Sequence, residues 1–546
     1  MNTFKSPLDA FLFWEKQDPL GIILKQPVDG RIINYTYQSA GKEIRKIASE
    51  IKDFKLSGRS HIALFSKNCA HWILADLAIS LSGNVSVPIY PTLNAKSVNQ
   101  LLIHSESKAI IVGKLDDFAT QKKGIPDIHK ISVGLYGLND GTLWEDIVKN
   151  QQPVEEIPDI KSDDLHTIIY TSGTTGTPKG VMHTVGNIMT SVTTLVSVLR
   201  IPDRGRIFSY LPLAHIAERI LCTGGLLLGT QISFPESLQT FASDLEKTQP
   251  NYFFAVPRIY AKFQDKILEN IPQKKLSILL KIPFVSSLVK NKLKQKLGLK
   301  RASFIASAAA PIASSLVQWF QSIGITIQQG YAMSEDCCIS HFNLPGASKV
   351  GTVGKKLPNV SVKLSPEGEI CIKNNCLMIG YYKEPEITAS VFDEEGFLKT
   401  GDKGEYDHDG FLTITGRVKD QFKTDKGKYI SPAPIELQLM KNSAIEQICI
   451  VGSGIPQPIA LVTLSPLGKL QPTLRLSQSL IESLTDINLQ LEKHEKIEKI
   501  VIMKEDWTVA NGLTTPTLKV KRTSIEKIHQ PYYKKWFEGK EKVIFE

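Results

Sequence analysis

The 546-residue chain lacks any apolar run near the length of about 20 residues that a helix needs to cross a bilayer. It is also poor in cysteine. The seven cysteines show no metal-ligand spacing, since Cys337 and Cys338 are adjacent, and we expect reduced structural thiols in a cytoplasmic setting. The apolar residues 11–14 are too few and too closely flanked by charges for a signal peptide, so we expect none.

Length and composition indicate a globular protein with two or more domains, because 546 residues exceed what one compact core normally holds. Apolar residues make up 42% and charged residues 22% of the chain, which is unlike a disordered protein. The net charge of +10 favours anionic partners such as nucleotides or acidic lipids. No zinc-finger, RNA-recognition or basic-zipper pattern is present, so we expect no nucleic-acid partner.

The first part of the chain alternates helical patterns with short apolar runs, as at residues 62–65, 109–112, 207–211 and 251–256. Such runs are typical of buried parallel strands that are covered by helices. The pattern predicts an α/β fold and continues to residue 330.

From residue 350 the pattern changes to short strands separated by turns, as at residues 366–368 and 407–410. We predict a large N-terminal domain of stacked α/β lobes with a β-rich subdomain, residues 1–418. A small α+β C-terminal domain would follow, residues 419–546.

The most distinctive local pattern is the segment 168–180, in which an apolar strand end leads into a loop rich in hydroxyl side chains and glycine. Its candidate ligand-binding residues are Thr171, Ser172, Gly173, Thr174, Thr175, Gly176, Thr177 and Lys179. Glycines let backbone N–H groups approach an anion, hydroxyls donate hydrogen bonds, and lysine neutralises charge. The segment predicts a polyphosphate-binding loop. It is not a Walker A loop, because the Gly-x-x-x-x-Gly-Lys-Ser/Thr spacing is absent.

This loop resembles the signature loop of the adenylate-forming (AMP-binding) enzymes, which include acyl-CoA synthetases, peptide-synthetase adenylation domains and luciferases. The resemblance covers residues 10–530. Segments 211–219, 255–260 and 513–522 are most similar to long-chain fatty acid–CoA ligases and bubblegum-type acyl-CoA synthetases. The resemblance implies an acyl-CoA synthetase-like fold whose C-terminal domain is mobile.

The resemblance also implies a reaction. A medium- or long-chain fatty acid would react with ATP, in the presence of Mg²⁺, to give acyl-AMP and pyrophosphate. CoA would then displace AMP to form the thioester. An acyl carrier protein as the thiol acceptor, or another carboxylic acid as the substrate, remains an alternative.

Several nucleotide-binding residues follow from the same resemblance, beyond the phosphate loop. They are Ala308, Ala309, Gln329, Gly330, Tyr331, Ser334, Asp402 and Arg417. Tyr331 would stack on adenine, Ser334 would touch the α-phosphate, and Asp402 would bind the ribose with support from Arg417. Glu335 would act in catalysis by holding Mg²⁺, which prefers hard oxygen ligands. Ala308 and Ala332 stand where the family usually has glycine.

The resemblance gives the C-terminal domain three functions. Lys519 would be a catalytic residue that stabilises charge on the carboxylate and the α-phosphate. Its neighbours Lys521 and Arg522 are expected to be solvated. Lys426 and Gly427 would face CoA, and Lys419 would be the hinge on which the domain turns between the two steps.

His215 is a further catalytic candidate, since the family places a histidine of this segment beside the acid or the adenylate. A structural role is the other interpretation of a single histidine.

Residues 274–301 carry nine lysines and arginines and no acidic residue, interleaved with apolar side chains. One interpretation is peripheral contact with an anionic membrane surface, the inner face of the cytoplasmic membrane. The other is the solvated face of two core-packed helices that are broken at Pro283.

Two other classes of function remain open at this stage. A luciferase-like oxidase uses the same adenylation site, and an assay with oxygen would identify it. A nucleotide-binding protein without catalysis is disfavoured, because Lys179, Glu335, Asp402, Arg417 and Lys519 are all present.

Overall fold

The structure is a computed structural model, and it describes residues 3–171, 178–201, 203–515 and 518–546. None of its described helices combines the length and the apolar character needed to cross a membrane. The first elements, in chain order, are α1 (Pro7–Gln17), β1 (Ile22–Val28), β2 (Arg31–Thr36), α2 (Tyr37–Asp53), β3 (His61–Phe65), α3 (Ala70–Leu81), β4 (Val85–Ile89), α4 (Ala95–His104), β5 (Ala109–Val112), α5 (Phe118–Gln121), β6 (His129–Ser132), β7 (Thr142–Leu143) and α6 (Trp144–Asn150).

Strands and helices continue to alternate up to residue 331, and strands dominate after it. The alternating part contains β8 (Leu165–Thr171), β9 (Lys179–Thr184), α7 (Val185–Leu199), β10 (Arg206–Phe208), α8 (Ile216–Leu227), β11 (Gln231–Ser233), α9 (Phe241–Thr248), β12 (Tyr252–Ala255), α10 (Pro257–Asn270), α11 (Gln273–Lys281), α12 (Val285–Lys296), β13 (Phe304–Ser307), α13 (Ser314–Ser322) and β14 (Gln328–Tyr331). The strand-rich part contains β15 (His341–Phe342), β16 (Lys355–Lys356), β17 (Ser361–Leu364), β18 (Glu369–Lys373), β19 (Gly380–Tyr381), α14 (Pro385–Val391), β20 (Leu398–Tyr406) and β21 (Leu412–Arg417).

Two large sheets organise these elements. One has the strand order β19-β9-β8-β4-β3-β5-β6-β7, and the other has the order β16-β15-β14-β13-β12-β10-β11-β1-β2. Buried side chains of α3, such as Trp72 and Leu74, share one apolar cluster with Leu64 of β3 and Ile207 of β10. A helix that is apolar on nearly all sides is typical of burial between two layers. The α3 helix therefore lies in the core that joins the two sheets.

The predicted parallel strands are confirmed in the first sheet, where β3 pairs in parallel with both β4 and β5. In the second sheet β12 pairs in parallel with β13. The strand predicted at residues 207–211 is shorter, because β10 ends at Phe208. The backbone N–H of Tyr210 donates to Glu218 of α8 and not to a neighbouring strand.

The β-rich subdomain is a four-stranded sheet in the order β17-β18-β20-β21. The turn predicted at residues 407–410 connects β20 to β21, and its Gly410 has a φ of 80°. Asp407 stabilises the turn, since its Oδ1 accepts hydrogen bonds from the backbone N–H groups of Asp409 and Phe411.

A separate C-terminal domain follows the turn at residues 418–420. It contains β22 (Phe422–Lys423), β23 (Tyr429–Ile430), α15 (Pro432–Leu439), β24 (Ile445–Val451), β25 (Ile459–Leu464), α16 (Pro466–Lys469), α17 (Thr473–Asn488), β26 (Ile500–Ile502), α18 (Arg522–His529), α19 (Tyr533–Glu538) and β27 (Val543–Phe545). Its main sheet has the order β24-β25-β26-β27. Two apolar clusters, one on each face of this sheet, give the domain a core of its own.

Candidate active site

The phosphate-loop sequence connects two antiparallel strands, β8 and β9, and its ends pair with each other at Thr171 and Lys179. Ser172, Gly173, Thr174, Thr175, Gly176 and Thr177 lie outside the described residues. The ammonium group of Lys179 lies 4.9 Å from the centre of the Tyr381 ring. The described ends of the loop therefore place its lysine beside an aromatic side chain of β19.

Tyr381 connects the loop lysine to Glu335. Its hydroxyl donates a hydrogen bond of 2.8 Å to Oε1 of Glu335. Tyr381 is held in place because β19 pairs with β9, opposite Val181. Burial and the neighbouring carboxylate raise the pKa of Tyr381, so its hydroxyl stays protonated and remains a donor. No sequence motif points to Tyr381, which stands in a two-residue strand.

His183 anchors the segment that carries Ser334. Its Nε2 lies 2.7 Å from the carbonyl oxygen of Ser334. Burial lowers the pKa of His183 to about 4, so the ring is neutral near pH 7 and its Nε2–H donates this bond. The loop strand β9 and the segment after β14 are thereby tied together. His183 is a second residue that the sequence did not identify.

Asp402 is the centre of the ribose-binding candidates. Asp402 on β20 and Arg417 on β21 stand directly opposite each other in the antiparallel register. Nε of Arg417 donates to Oδ1 of Asp402 at 2.7 Å, and the Tyr331 hydroxyl donates to Oδ2 at 2.8 Å. The Asp402 carboxylate raises the pKa of Arg417. Among the described residues, each carboxylate oxygen accepts one side-chain hydrogen bond, which leaves a lone pair for a further donor such as a ribose hydroxyl.

The remaining nucleotide candidates lie at the carboxyl ends of β13 and β14, where Ser307 pairs with Gln329. This is the edge at which open α/β sheets usually bind ligands. Gly330 is required by packing, since a Cβ there would come within 2.6 Å of the Phe342 ring.

The two alanines at family glycine positions cause no backbone strain. The backbone at Ala308 and at Ala332 lies outside the left-handed region. The neighbouring Ala309, by contrast, has a positive φ of 69°. The extra methyl groups therefore change the volume near the site and not the course of the chain.

His215 is the N-cap residue of α8, and its Nδ1 accepts the backbone N–H of Ala217 at 3.2 Å. Burial lowers the pKa of His215 to about 4, and the positive charge of Lys519 acts in the same direction. The ring is therefore neutral near pH 7, with its proton on Nε2. His215 can donate one hydrogen bond from Nε2 without carrying a charge.

Lys519 brings the C-terminal domain to this site. It follows residues 516 and 517, which are outside the described part of the chain. Part of Lys519 is exposed to solvent. Burial nevertheless lowers the pKa of its ammonium group. Arg417 lowers this pKa further, and the carboxylates of Asp402 and Glu335 oppose the shift. Lys519 is thus within electrostatic range of these three groups.

Backbone hydrogen bonds connect Lys519 to Thr515. The N–H of Lys519 donates to Oγ1 of Thr515 at 3.1 Å, and the carbonyl of Lys519 accepts the N–H of Thr515 at 2.8 Å.

The expectation that Arg522 is solvated is wrong. Its guanidinium is buried because it pairs with Glu436 and donates to the carbonyl oxygen of Ile450.

The structure does not bring the two CoA-facing candidates to the nucleotide cluster. Lys426 and Gly427 form the tip of the β22–β23 hairpin, where Gly427 has a φ of 72°. The neighbouring Asp425 N–H donates to the carbonyl of Ile455 within the C-terminal domain. Lys419 is exposed in the turn between the domains.

Comparison with known protein families gives two matches. A family model described as AMP-binding enzyme matches residues 22–382, and one described as AMP-binding enzyme C-terminal domain matches residues 419–538.

Curated relatives extend over most of the chain. The long-chain-fatty-acid–CoA ligase FadD15 of Mycobacterium tuberculosis is 28% identical over 93% of this chain and 93% of its own length. Long chain acyl-CoA synthetase 7, a peroxisomal protein of Arabidopsis thaliana, is 29% identical over 90% of this chain and 80% of its own.

Solved structures share the fold. The adenylation domain of a carboxylate reductase from Mycobacterium chelonae matches with a TM-score of 0.82 at 18% identity, over 98% of this chain and 91% of that domain. The anthranilate–CoA ligase AuaEII, solved with anthranoyl-AMP, matches with a TM-score of 0.78 at 19% identity, over 97% of this chain and 98% of its own.

Proposed function

We propose, from the premise that this chain belongs to the AMP-binding enzyme family, that it is an ATP-dependent acid–thiol ligase acting on medium- or long-chain fatty acids. A carboxylate oxygen of the acid would attack the α-phosphorus of ATP, and the bond to pyrophosphate would break. The thiol of CoA would then attack the acyl carbonyl and release AMP and a proton. The observation that carries the proposal is the nucleotide cluster itself, in which Arg417 and Tyr331 hold Asp402 and Tyr381 holds Glu335. Lys519 of the C-terminal domain lies within electrostatic range of this cluster.

The charges of the cluster support the first step. This step brings an anionic carboxylate to an anionic phosphate, so preorganised cations stabilise its transition state. Lys519 and Lys179 supply such cations from two directions. Neutral His215 can donate a hydrogen bond to the acid or the adenylate without attracting another anion.

Glu335 fits the Mg²⁺ that accompanies ATP. A single hard carboxylate suits this ion, which takes most of its other ligands from phosphates and water. In the described part of the chain no three acidic, histidine or cysteine side chains form a metal cluster. The Tyr381 hydroxyl occupies Oε1 and orients the carboxylate. When bound, the metal would neutralise phosphate charge.

The names of the relatives support a fatty acid as the substrate, since FadD15 is named a long-chain-fatty-acid–CoA ligase and the plant protein a long chain acyl-CoA synthetase. The test is a thioester assay with ATP, CoA and saturated acids of two to twenty carbons. We expect AMP, pyrophosphate and acyl-CoA, with the highest rates at eight or more carbons. A preference for acetate or an aromatic acid would contradict the substrate class. A parallel arm with phosphopantetheinylated carrier protein tests the other thiol acceptor.

The helices α11 and α12 support a further part of the proposal, peripheral contact with an anionic membrane. Leu276 is buried in the core beneath them, but Phe284 between them is 88% exposed and Leu288 is 70% exposed. Phe284 also has a φ of 62°, a strained conformation for a bulky side chain. Core packing accounts for one face of these helices and leaves the exposed apolar side chains unexplained.

The lysines around these apolar residues match an anionic lipid surface. The test is flotation with vesicles of neutral lipid, with and without anionic phospholipid. We expect binding only with anionic lipid and its loss in Phe284→Ser/Leu288→Ser. Equal binding to both vesicle types, or no effect of the substitutions, would contradict the contact.

A further inference from the structure

An ion pair joins the two domains away from the turn that connects them. The Arg258 guanidinium at the start of α10 contacts the Glu446 carboxylate on β24. Among the residues that the structure describes, no other ion pair links a residue before 418 to one after 420. Burial lowers the pKa of Arg258, and Asp506 lies close enough to oppose this shift. Arg258 therefore contacts one acid of the C-terminal domain, Glu446, and lies within electrostatic range of a second, Asp506, whose carboxylate pairs with Lys469.

Glu446 occupies a β-bulge. Ile445 pairs with Leu464 and Gln447 pairs with Thr463, so Glu446 is the extra residue between them. A bulge bends its strand and re-aims the extra side chain. Only 19% of the Glu446 side chain is exposed. The irregularity in β24 thus serves to direct this carboxylate towards the other domain.

Hydrogen bonds connect the bulge to the segment that carries Lys519. Gln447 Nε2 donates to the carbonyl of Trp507, which follows Asp506 in the chain. Asn511 Nδ2 donates to the carbonyl of Asp506.

The connection continues towards the lysine. The N–H of Leu513 donates to the carbonyl of Thr508, and the carbonyl of Leu513 accepts the N–H of Lys521. An isolated bridge pairs Thr514 with Val520 on either side of Lys519. The two acids and Lys519 therefore belong to one hydrogen-bonded unit.

Arg258 is fixed to the nucleotide site on the other side. It lies in the first turn of α10, three residues after Ala255, and Ala255 pairs with Ser307 at the sheet edge that leads to Ala308. A cation in the first turn of a helix is opposed by the helix dipole, and this turn contains no acidic residue. Glu446 supplies the compensating charge from the C-terminal domain.

We propose that Arg258 and Glu446 are positioning residues whose ion pair docks the C-terminal domain with Lys519 facing Asp402 and Glu335. The pair favours the orientation used for adenylate formation, and it opens before CoA reacts. This inference rests on the proposed two-step function and deepens it. The Val-Pro-Arg segment at residues 256–258 thereby acquires a function.

The experiment measures each half-reaction separately. Arg258→Ala and Glu446→Ala should each slow acid-dependent pyrophosphate release by roughly 10-fold, the effect of losing a coupled charge pair. Both should convert supplied acyl-AMP and CoA to thioester at the wild-type rate or faster. The charge reversal Arg258→Glu/Glu446→Arg should recover most of the lost rate, whereas each single reversal should be worse than alanine.

Lys266→Ala is the matched control. Lys266 lies on the same helix and is exposed, and its one ion pair among the described residues is with Glu269 of that helix, so its loss should change neither half-reaction. Equal loss of both half-reactions in the alanine variants, or a double reversal no better than the singles, would overturn the inference.

A separate measurement keeps this inference distinct from the proposed function. Wild-type protein that forms no acyl-AMP from any acid would refute the function. Small-angle X-ray scattering would then still test the ion pair. We expect Glu446→Arg to shift the interdomain distance distribution to longer distances and the double reversal to restore it. An unchanged distribution in Glu446→Arg would refute the ion pair as the docking contact.

Discussion

The two halves of the candidate site are built in different ways. In the N-terminal domain, Asp402 and Arg417 face each other because of strand register, and Tyr381 reaches Glu335 through strand pairing. Lys519 belongs to the other domain. The first half is fixed by sheets, whereas the second depends on how the domains dock. Changes at the AMP-binding residues Asp402 and Arg417 should impair both half-reactions, and changes at Lys519 or at the docking contact should impair only the step in which Lys519 faces the site.

The largest expected effect separates the two halves directly. Lys519→Ala should reduce pyrophosphate release by roughly 10²–10³-fold, the usual effect of removing one preorganised charge. Thioester formation from supplied acyl-AMP and CoA should be retained. Lys521→Ala is the control, because Lys521 has the same charge two residues away. If the two variants behave alike, Lys519 has no special function and the comparison fails.

Glu335→Gln tests the fixed half. It removes one anionic ligand but keeps an oxygen that can accept the Tyr381 hydroxyl. Adenylation at limiting Mg²⁺ should fall by roughly 10–100-fold, as expected when a metal site loses a supporting group, and excess Mg²⁺ should restore part of it. The control is Glu386→Gln, which neutralises an exposed acid of α14. An undiminished rate at limiting Mg²⁺ would contradict the metal assignment.

The fixed half shows how far a sequence can predict a site. Asp402 and Arg417 lie at nearly equal distances from the turn at residues 407–410, so an antiparallel hairpin places them opposite each other. The structure has this register, with a bulge after Lys403. Short apolar runs similarly predicted the parallel strands, because burial on both faces leaves a readable pattern. Their ends were less predictable, as at Phe208.

Contacts between distant segments could not be predicted in this way. Tyr381 meets Glu335 across 46 residues of sequence, and Arg258 meets Glu446 across the domain boundary. Neither pair has a spacing rule, since each depends on how sheets and domains pack. The sequence does not predict the partner of Arg522 for the same reason. Its position in a lysine-rich segment indicated solvent, but Glu436 of α15 pairs with it inside the domain.

The hinge is tested by Lys419→Pro, which should affect the movement between the halves and neither half itself. Proline fixes φ near −65° and restricts rotation at this position. We expect near-normal adenylate formation and thioester transfer slowed by roughly 10-fold, on the premise that a restricted hinge delays redocking. Lys419→Ala removes the charge without the restriction and should transfer normally. Equal loss of both half-reactions in Lys419→Pro would place the hinge elsewhere.

The smallest effect concerns the stability of the fixed half and its dependence on pH. Glu218 of α8 is buried, and its Oε1 accepts the Tyr210 N–H at the start of the loop that leads to His215. Its Oε2 has no hydrogen-bond partner among the described residues. Burial raises the pKa of Glu218 from 4.5 to about 8. Between these values the folded protein holds a proton that the unfolded chain has released, so stability falls as pH rises through this window.

Glu218→Gln removes this dependence, because the amide is neutral at every pH and still accepts the Tyr210 N–H. The melting temperatures of variant and wild type should differ least at pH 5, and the variant should melt several degrees higher at pH 8, because the wild type loses stability as the pH rises between the two pKa values. Glu386→Gln, on the surface, should show no such trend. The ratio of the two half-reaction rates should not change, because Glu218 supports the fixed half alone. A melting-temperature difference that stays constant from pH 5 to pH 8 would mean that Glu218 is ionised in both the folded and the unfolded protein over this range, and that the loop before His215 is held by a charge instead of a neutral carboxyl.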